Sequence, residues 1–205
     1  MERTSLKTWR IAVLTSGAGR GSNLQALYDY FKKHSLPVEI AFATASNKNA
    51  PVVQLCDKLN IPCYILAPRK DKDFENRLLE LCQQEKIDLI ALAGFMNLLS
   101  SSFLEKVGIP VLNIHPALLP KYGGKMMYGM NVHKAVFESG DKVSGVTVHL
   151  VDNQYDNGPI IAQEKVDISD CKSPEEIAAK VLEIEHQTYA PAIYQFLCKY
   201  YEPEK

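Results

Sequence analysis

Over the first 115 residues, short apolar runs alternate with segments patterned as amphipathic helices, and that alternation limits the chain to very few folds. Residues 10–15 (RIAVLT), 38–44 (VEIAFAT), 63–66, 88–95 (DLIALAGF) and 110–115 (PVLNIH) read as strands. Between them, residues 23–31 place Leu24, Leu27, Tyr28 and Phe31 along one helix face. Residues 51–59 read as a short helix, and 72–84 as another whose Phe74, Leu78, Leu81 and Cys82 share a face. Such alternation predicts a parallel sheet with helices on both faces, joined by right-handed crossovers. The strand at 88–95 is almost wholly apolar, as suits a central strand buried on both sides.

The second half changes character. Residues 143–151 and 159–166 read as strands joined through Asp156-Asn157-Gly158, a connection short enough to predict an antiparallel pair. Ser173, Pro174 and Glu176 mark a helix start: Ser as cap, Pro at the first helical position, Glu closing a capping box. That helix is expected to run to about Tyr200, with Pro191 as its candidate bend. Every segment depends on one sheet. The expectation is a single α/β domain over residues 1–205: a Rossmann-like, mostly parallel sheet flanked by helices, with antiparallel strands in the C-terminal half.

Twenty-three Lys and Arg against 24 Asp and Glu leave a net charge of −1. That balance excludes a disordered polyelectrolyte and argues against nucleic acid or an anionic membrane as partner. The longest apolar stretch, residues 89–95, is far short of the roughly 20 residues a bilayer requires. Five scattered cysteines form no CxxC pair or disulfide framework, which predicts free thiols in a reducing, cytoplasmic setting and no cysteine-held metal.

Three places carry chemistry. Between the first strand and the first helix stands Gly17-Ala18-Gly19-Arg20-Gly21-Ser22-Asn23. Glycines let backbone N–H groups approach a ligand, and the helix start adds its positive end, so the loop reads either as a phosphate cradle or as a tight turn that holds nothing. It is neither a G-x-G-x-x-G fingerprint nor a Walker loop, and no acidic residue ends the second strand, so a small monophosphate suits it better than NAD or ATP. Second, Asn113 and His115 project to the same side of a predicted strand that Pro116 ends. An amide beside an imidazole can stabilise an oxyanion and move a proton, or can merely tie down the next loop. Third, Asp156-Asn157-Gly158-Pro159 is turn chemistry, or a carboxylate for His115. Nothing in the sequence brings Asp156 and His115 together.

Four segments occur in order: S-G-x-G-x-G-S-N-L-Q (residues 16–25), A-G-F-M (93–96), N-I-H-P-A-L-L-P-K-Y (113–122) and D-N-G-P-I-I (156–161). Together, over about residues 10–196, the chain resembles the folate-dependent formyltransferase family and, within it, the phosphoribosylglycinamide formyltransferases. The resemblance implies formyl transfer from 10-formyltetrahydrofolate to the glycine amine of glycinamide ribonucleotide, with no metal. It implies Asn113, His115 and Asp156 as the catalytic trio. It also implies that Gly21, Ser22 and Asn23 hold the substrate phosphate and that Glu185 contacts the ribose hydroxyls. Met96, Asn97, Leu98, Leu99 and the backbone around Val151 would form the folate pocket. His149 is expected near the site, with weaker claims for His34, His133 and His186.

Three departures stand out from that pattern. The phosphate loop is two residues longer, with Arg20 inserted; Asn97 replaces an arginine common in relatives; and residues 121–130 (KYGGKMMYGM) exceed the common version by about five residues. The longer segment suits either a lid over the site or packing against a second copy in a homodimer. Two other activities fit some of these residues. A 10-formyltetrahydrofolate hydrolase would keep the trio, with an N-terminal regulatory domain expected in addition. A non-catalytic sensor of phosphate ligands would need only the loop.

Overall fold

The computed structural model describes residues 7–16, 19–68 and 70–201. The elements follow the chain as β1 (Trp9–Leu14), α1 (Ser22–Lys33), β2 (Val38–Ala45), α2 (Pro51–Leu59), β3 (Cys63–Ile65), α3 (Phe74–Gln84), β4 (Leu89–Leu92), α4 (Ser101–Val107), β5 (Val111–His115), α5 (Met130–Ser139), β6 (Val143–Leu150), β7 (Ile160–Asp167) and α6 (Pro174–Tyr201). Among the described residues the strands form one sheet in the order β3-β2-β1-β4-β5-β6-β7. Pairing is parallel from β3 through β5 and antiparallel between β5 and β6 and between β6 and β7. The mostly parallel, helix-flanked sheet is therefore as the alternation predicts.

Burial follows from the strand patterns. Every residue of β4 is buried, because helices cover both sheet faces at this point. On one face Ile11, Val13, Leu89 and Ala91 pack with Leu24 and Leu27 of α1 and Tyr189 and Ile193 of α6. On the other, Ala12, Leu14 and Ile90 pack with Leu78 of α3 and Phe103 of α4. A third cluster joins Val132 and Val136 of α5 to Val146 of β6 and Ile177 and Val181 of α6.

The chain also departs from its sequence pattern in four places. β4 stops at Leu92, short of Phe95, since Gly94 turns left-handed at φ 69°. α4 and α5 have no counterpart in the sequence assignments. α4 is only seven residues long, too short for a periodic signal, although Ser100 caps it by accepting the Phe103 N–H at 3.1 Å. Helix α6 runs through Pro191 to Tyr201 as one element, in keeping with its sequence pattern. At its start Ser173 accepts the Glu176 N–H at 3.3 Å, but Glu176 reaches back to the Lys172 N–H, one residue before the expected partner.

Strand order sets the position of the site. The chain moves outward in one direction through β2 and β3 and in the other through β4 and β5, so the direction reverses between β1 and β4. Crevices at the carboxyl ends of strands beside such a reversal are where open α/β sheets bind ligands. Helix α6 locks this end: the Tyr189 hydroxyl lies 2.9 Å from the carbonyls of both Leu92 and Leu112, on β4 and β5.

Candidate active site

At the carboxyl end of β5, strand alternation puts Asn113 and His115 on the same side. The antiparallel neighbour β6 sets Thr147 opposite His115 and His149 opposite Asn113. Asp156 comes from the loop between β6 and β7, held at φ 54°, a left-handed conformation that Asp tolerates better than most residues. Its Oδ1 lies 3.4 Å from His115 Nδ1 and 3.6 Å from His149 Nε2. The turn and the strand, 41 residues apart, thus meet at one cavity wall.

Hydrogen-bond partners define the nitrogens. His115 Nε2 lies 2.8 Å from the Tyr122 carbonyl, which can only accept, so Nε2 carries a hydrogen. Nδ1 is then the nitrogen turned to Asp156. At 3.4 Å this pair is longer than a tight hydrogen bond, and a reacting group can share Nδ1–H. His149 Nδ1 donates to the Leu150 carbonyl at 2.8 Å, so its Nε2 accepts from Asn113 Nδ2 at 3.1 Å. One Asn113 N–H is used in this way, and the other has no partner among the described residues. The far oxygen of Asp156 accepts the Gly124 N–H at 2.9 Å.

Charge follows environment. Burial alone would raise the Asp156 pKa, but His115 and the Gly124 N–H outweigh it and hold the carboxyl well below the usual carboxylate range. His133, buried in α5 on the same cavity, moves the other way: burial and then the neighbouring His115 push it down to about 4, so it is neutral near pH 7. Glu185 of α6 is 8% exposed and accepts from Asn23 Nδ2 at 2.7 Å. Burial pushes it up to about 7, against the Asn23 hydrogen bond and the His115 charge.

Glu185 therefore binds a proton more tightly folded than unfolded, where it ionises near 4.5. Its stabilising contribution is complete below that value and is lost as pH rises through about 7. The melting temperature of the ligand-free protein, relative to that of Glu185→Gln, is expected to fall across this window. Parallel curves for the two proteins would contradict it.

These groups face a cavity of about 400 Å³. Asn23 and Glu185 line one side, Asn113, His115 and Asp156 another, and Gly124–Gly129 of the longer segment a third. Gly21, at φ 79°, is the N-cap of α1, and a Cβ there would lie 2.8 Å from Val52 Cγ2. Ser22 is the first residue of α1, and Arg20 is exposed; Gly17 and Ala18 lie outside the described residues. Met96 sits where this cavity meets a groove of about 500 Å³ that Asn97, Leu98 and Tyr155 also line. Leu99 is 1% exposed and packs in the core with Phe103, and Val151 is half-buried, donating to the Val111 carbonyl at 2.8 Å. Sequence reasoning missed the Tyr122 carbonyl and the Gly124 N–H, because main-chain groups have no residue signature. The Gly123-Gly124 pair was the available signal.

An amide, an imidazole and an ionised carboxylate thus share one cavity beside the start of α1, at the carboxyl edge of an open α/β sheet. The chain belongs to the formyl transferase family, whose sequence model matches residues 9–193. It is 34% identical over 200 residues to the chloroplastic phosphoribosylglycinamide formyltransferase of Vigna unguiculata, covering 96% of this chain and 63% of that protein. The chain thus spans just under two thirds of that plant relative's length. It is 33% identical to the phosphoribosylglycinamide formyltransferase of Bacillus subtilis, covering 92% of this chain and 94% of the relative. The crystal structure of phosphoribosylglycinamide formyltransferase from Bacillus halodurans superposes with a TM-score of 0.83 at 32% identity, covering 93% of this chain and 96% of that one. Among the described residues no helix is long and apolar enough to cross a membrane.

Proposed function

We propose that this chain transfers the formyl group of 10-formyltetrahydrofolate to the glycine amine of glycinamide ribonucleotide, acting as one domain over residues 1–205. The observation that carries the reading is the approach of Asp156 to His115 beside Asn113 on the wall of one cavity, in a chain of this family. The amine attacks the formyl carbon and its carbonyl oxygen becomes an oxyanion. The free N–H of Asn113 and the Nδ1–H of His115 stabilise that charge. Asp156, held ionised, keeps the imidazole turned to the cavity and favours its charged form as negative charge develops. The bond from carbon to the folate nitrogen then breaks. The proton lost by the attacking amine ends on that nitrogen, moved by His115 and Asp156.

In this reading Gly21, Ser22 and Asn23 hold the phosphate at the start of α1, and Glu185 takes the ribose hydroxyls. Met96, Asn97 and Leu98 form the folate wall, with Leu99 and Val151 packing behind it. No step requires a metal ion. The enzyme works in the cytoplasm on small molecules, with neither nucleic acid nor membrane as partner.

The test is turnover of 10-formyltetrahydrofolate with and without glycinamide ribonucleotide. Formyl loss is expected only when the ribonucleotide is present, with one formylated amine per folate consumed. Equal loss without it would make the chain a hydrolase. Binding of both compounds with no turnover would make it a sensor.

A further inference from the structure

Tyr122 stands where the longer segment leaves the strand-end loop, and its two ends do different things. Its carbonyl meets His115 Nε2 at 2.8 Å, inside the site. Its phenol reaches away from the cavity to the junction between α5 and β6. There the hydroxyl donates to Asp141 Oδ2 at 2.7 Å and lies 2.5 Å from Ser139 Oγ. The ring packs against the cluster that holds Val132 and Val136, with Lys121 Nζ above it at 4.8 Å. Lys121 also bonds Asp141 at 2.5 Å.

The backbone of Tyr122 is left-handed, at φ 59°. For an aromatic residue that conformation is unfavourable, and it persists only where surrounding contacts impose it. The phenol's partners and the apolar ring contacts are what impose it here. Two residues on, the same segment sends the Gly124 N–H to Asp156 Oδ2 at 2.9 Å. One anchored turn therefore touches both members of the His115–Asp156 pair.

We propose that Tyr122 is a positioning residue: its phenol, tied to Asp141 and Ser139, holds its own carbonyl on His115 Nε2 and so turns His115 Nδ1 toward Asp156 and the cavity. A carbonyl at Nε2 keeps that nitrogen protonated, which selects the ring orientation and the tautomer. Without the anchor, the turn relaxes toward ordinary backbone angles and its carbonyl leaves Nε2. The imidazole then rotates between two settings, only one of which serves the reaction. The inference rests on the role proposed above for His115.

Tyr122→Phe removes the hydroxyl and keeps the ring. Turnover is expected to fall roughly tenfold, with the Michaelis constants of both substrates within about twofold of wild type, as for lost orientation and not lost binding. Asp141→Asn should give a similar loss, and the double variant should be no worse than the poorer single one, because both changes break one linkage. Nitrogen-15 NMR at a pH where the His115 ring is neutral should show the Nε2–H form in wild type and a tautomer mixture in either variant. Wild-type turnover in both single variants, a change confined to the Michaelis constants, or strictly additive losses would overturn the proposal. If Tyr122→Phe does not fold, Asp141→Asn and Ser139→Ala are judged by the same outcomes. His115→Ala in the same assays separates the two readings. Full activity there sinks the role proposed for His115, whereas an inactive His115→Ala beside fully active Tyr122→Phe and Asp141→Asn sinks only the positioning role.

Discussion

His115→Ala is expected to cut turnover by roughly 10²-fold or more, as for a residue that both stabilises an oxyanion and moves a proton. The loss should lie in the turnover number. His115 is 3% exposed at the end of β5, and the surfaces assigned to phosphate and ribose are carried by α1 and α6. The fold should survive, since β5 is held by its ladders to β4 and β6 and by Tyr189 on the Leu112 carbonyl. Asp156 should respond in a measurable way. His115 is the principal group opposing the effect of burial on that carboxyl, so its pKa should rise toward the usual range in the variant. Steady-state rates with both substrates, circular dichroism and carbon-13 NMR of the Asp156 carboxyl check the three parts. Turnover within tenfold of wild type would remove His115 from the chemistry.

Gly158→Ala is expected to damage stability and activity together. A Cβ at this position would sit 1.9 Å from the Leu150 carbonyl oxygen and 2.8 Å from its carbon. Both are backbone atoms at the end of β6, so no side-chain rotation can relieve the clash. The turn must move away from β6, and Asp156, two residues earlier, must move with it. Overpacking of this kind costs typically 1–3 kcal/mol, and a forced backbone shift places the expected loss near the top of that range. Turnover should fall about 10²-fold, because a displacement of only an ångström at a reacting group is that costly. Gly19→Ala is the contrast, since a Cβ there has nothing within 4 Å, and its stability should change by less than about 0.5 kcal/mol. Urea midpoints and rates for the two variants give the comparison. A stable, active Gly158→Ala would mean that the turn is not tied to β6.

The Gly158 case shows how a correct sequence reading can carry an incomplete reason. Asp156-Asn157-Gly158-Pro159 is recognisable as turn chemistry, and a turn does join β6 to β7. Glycine is expected in turns for its left-handed angles, yet here the left-handed residue is Asp156, at φ 54°, and Gly158 is needed for space. Composition distinguishes neither role, because both depend on how closely the turn lies over β6. Glu185 is a second example. Without the resemblance it reads as a solvated charge on a helix face, whereas the structure buries it against Asn23, 162 residues away.

The sequence by itself determined the parallel layers, the antiparallel C-terminal pair, and the pairing of Asn113 with His115 on one side of β5. These rest on local periodicity: a two-residue repeat in strands, a 3.6-residue repeat in helices, and short connections that force neighbours together. Only the tertiary structure decided that Asp156 reaches His115, that His115 turns Nδ1 to it, and that the segment after Lys121 lines the cavity and meets both residues through main-chain groups. Those outcomes depend on the register of β6 against β5 and on where a glycine-containing loop can approach. A contact between residues far apart in the chain is set by the packing of everything between them, and no local pattern encodes it.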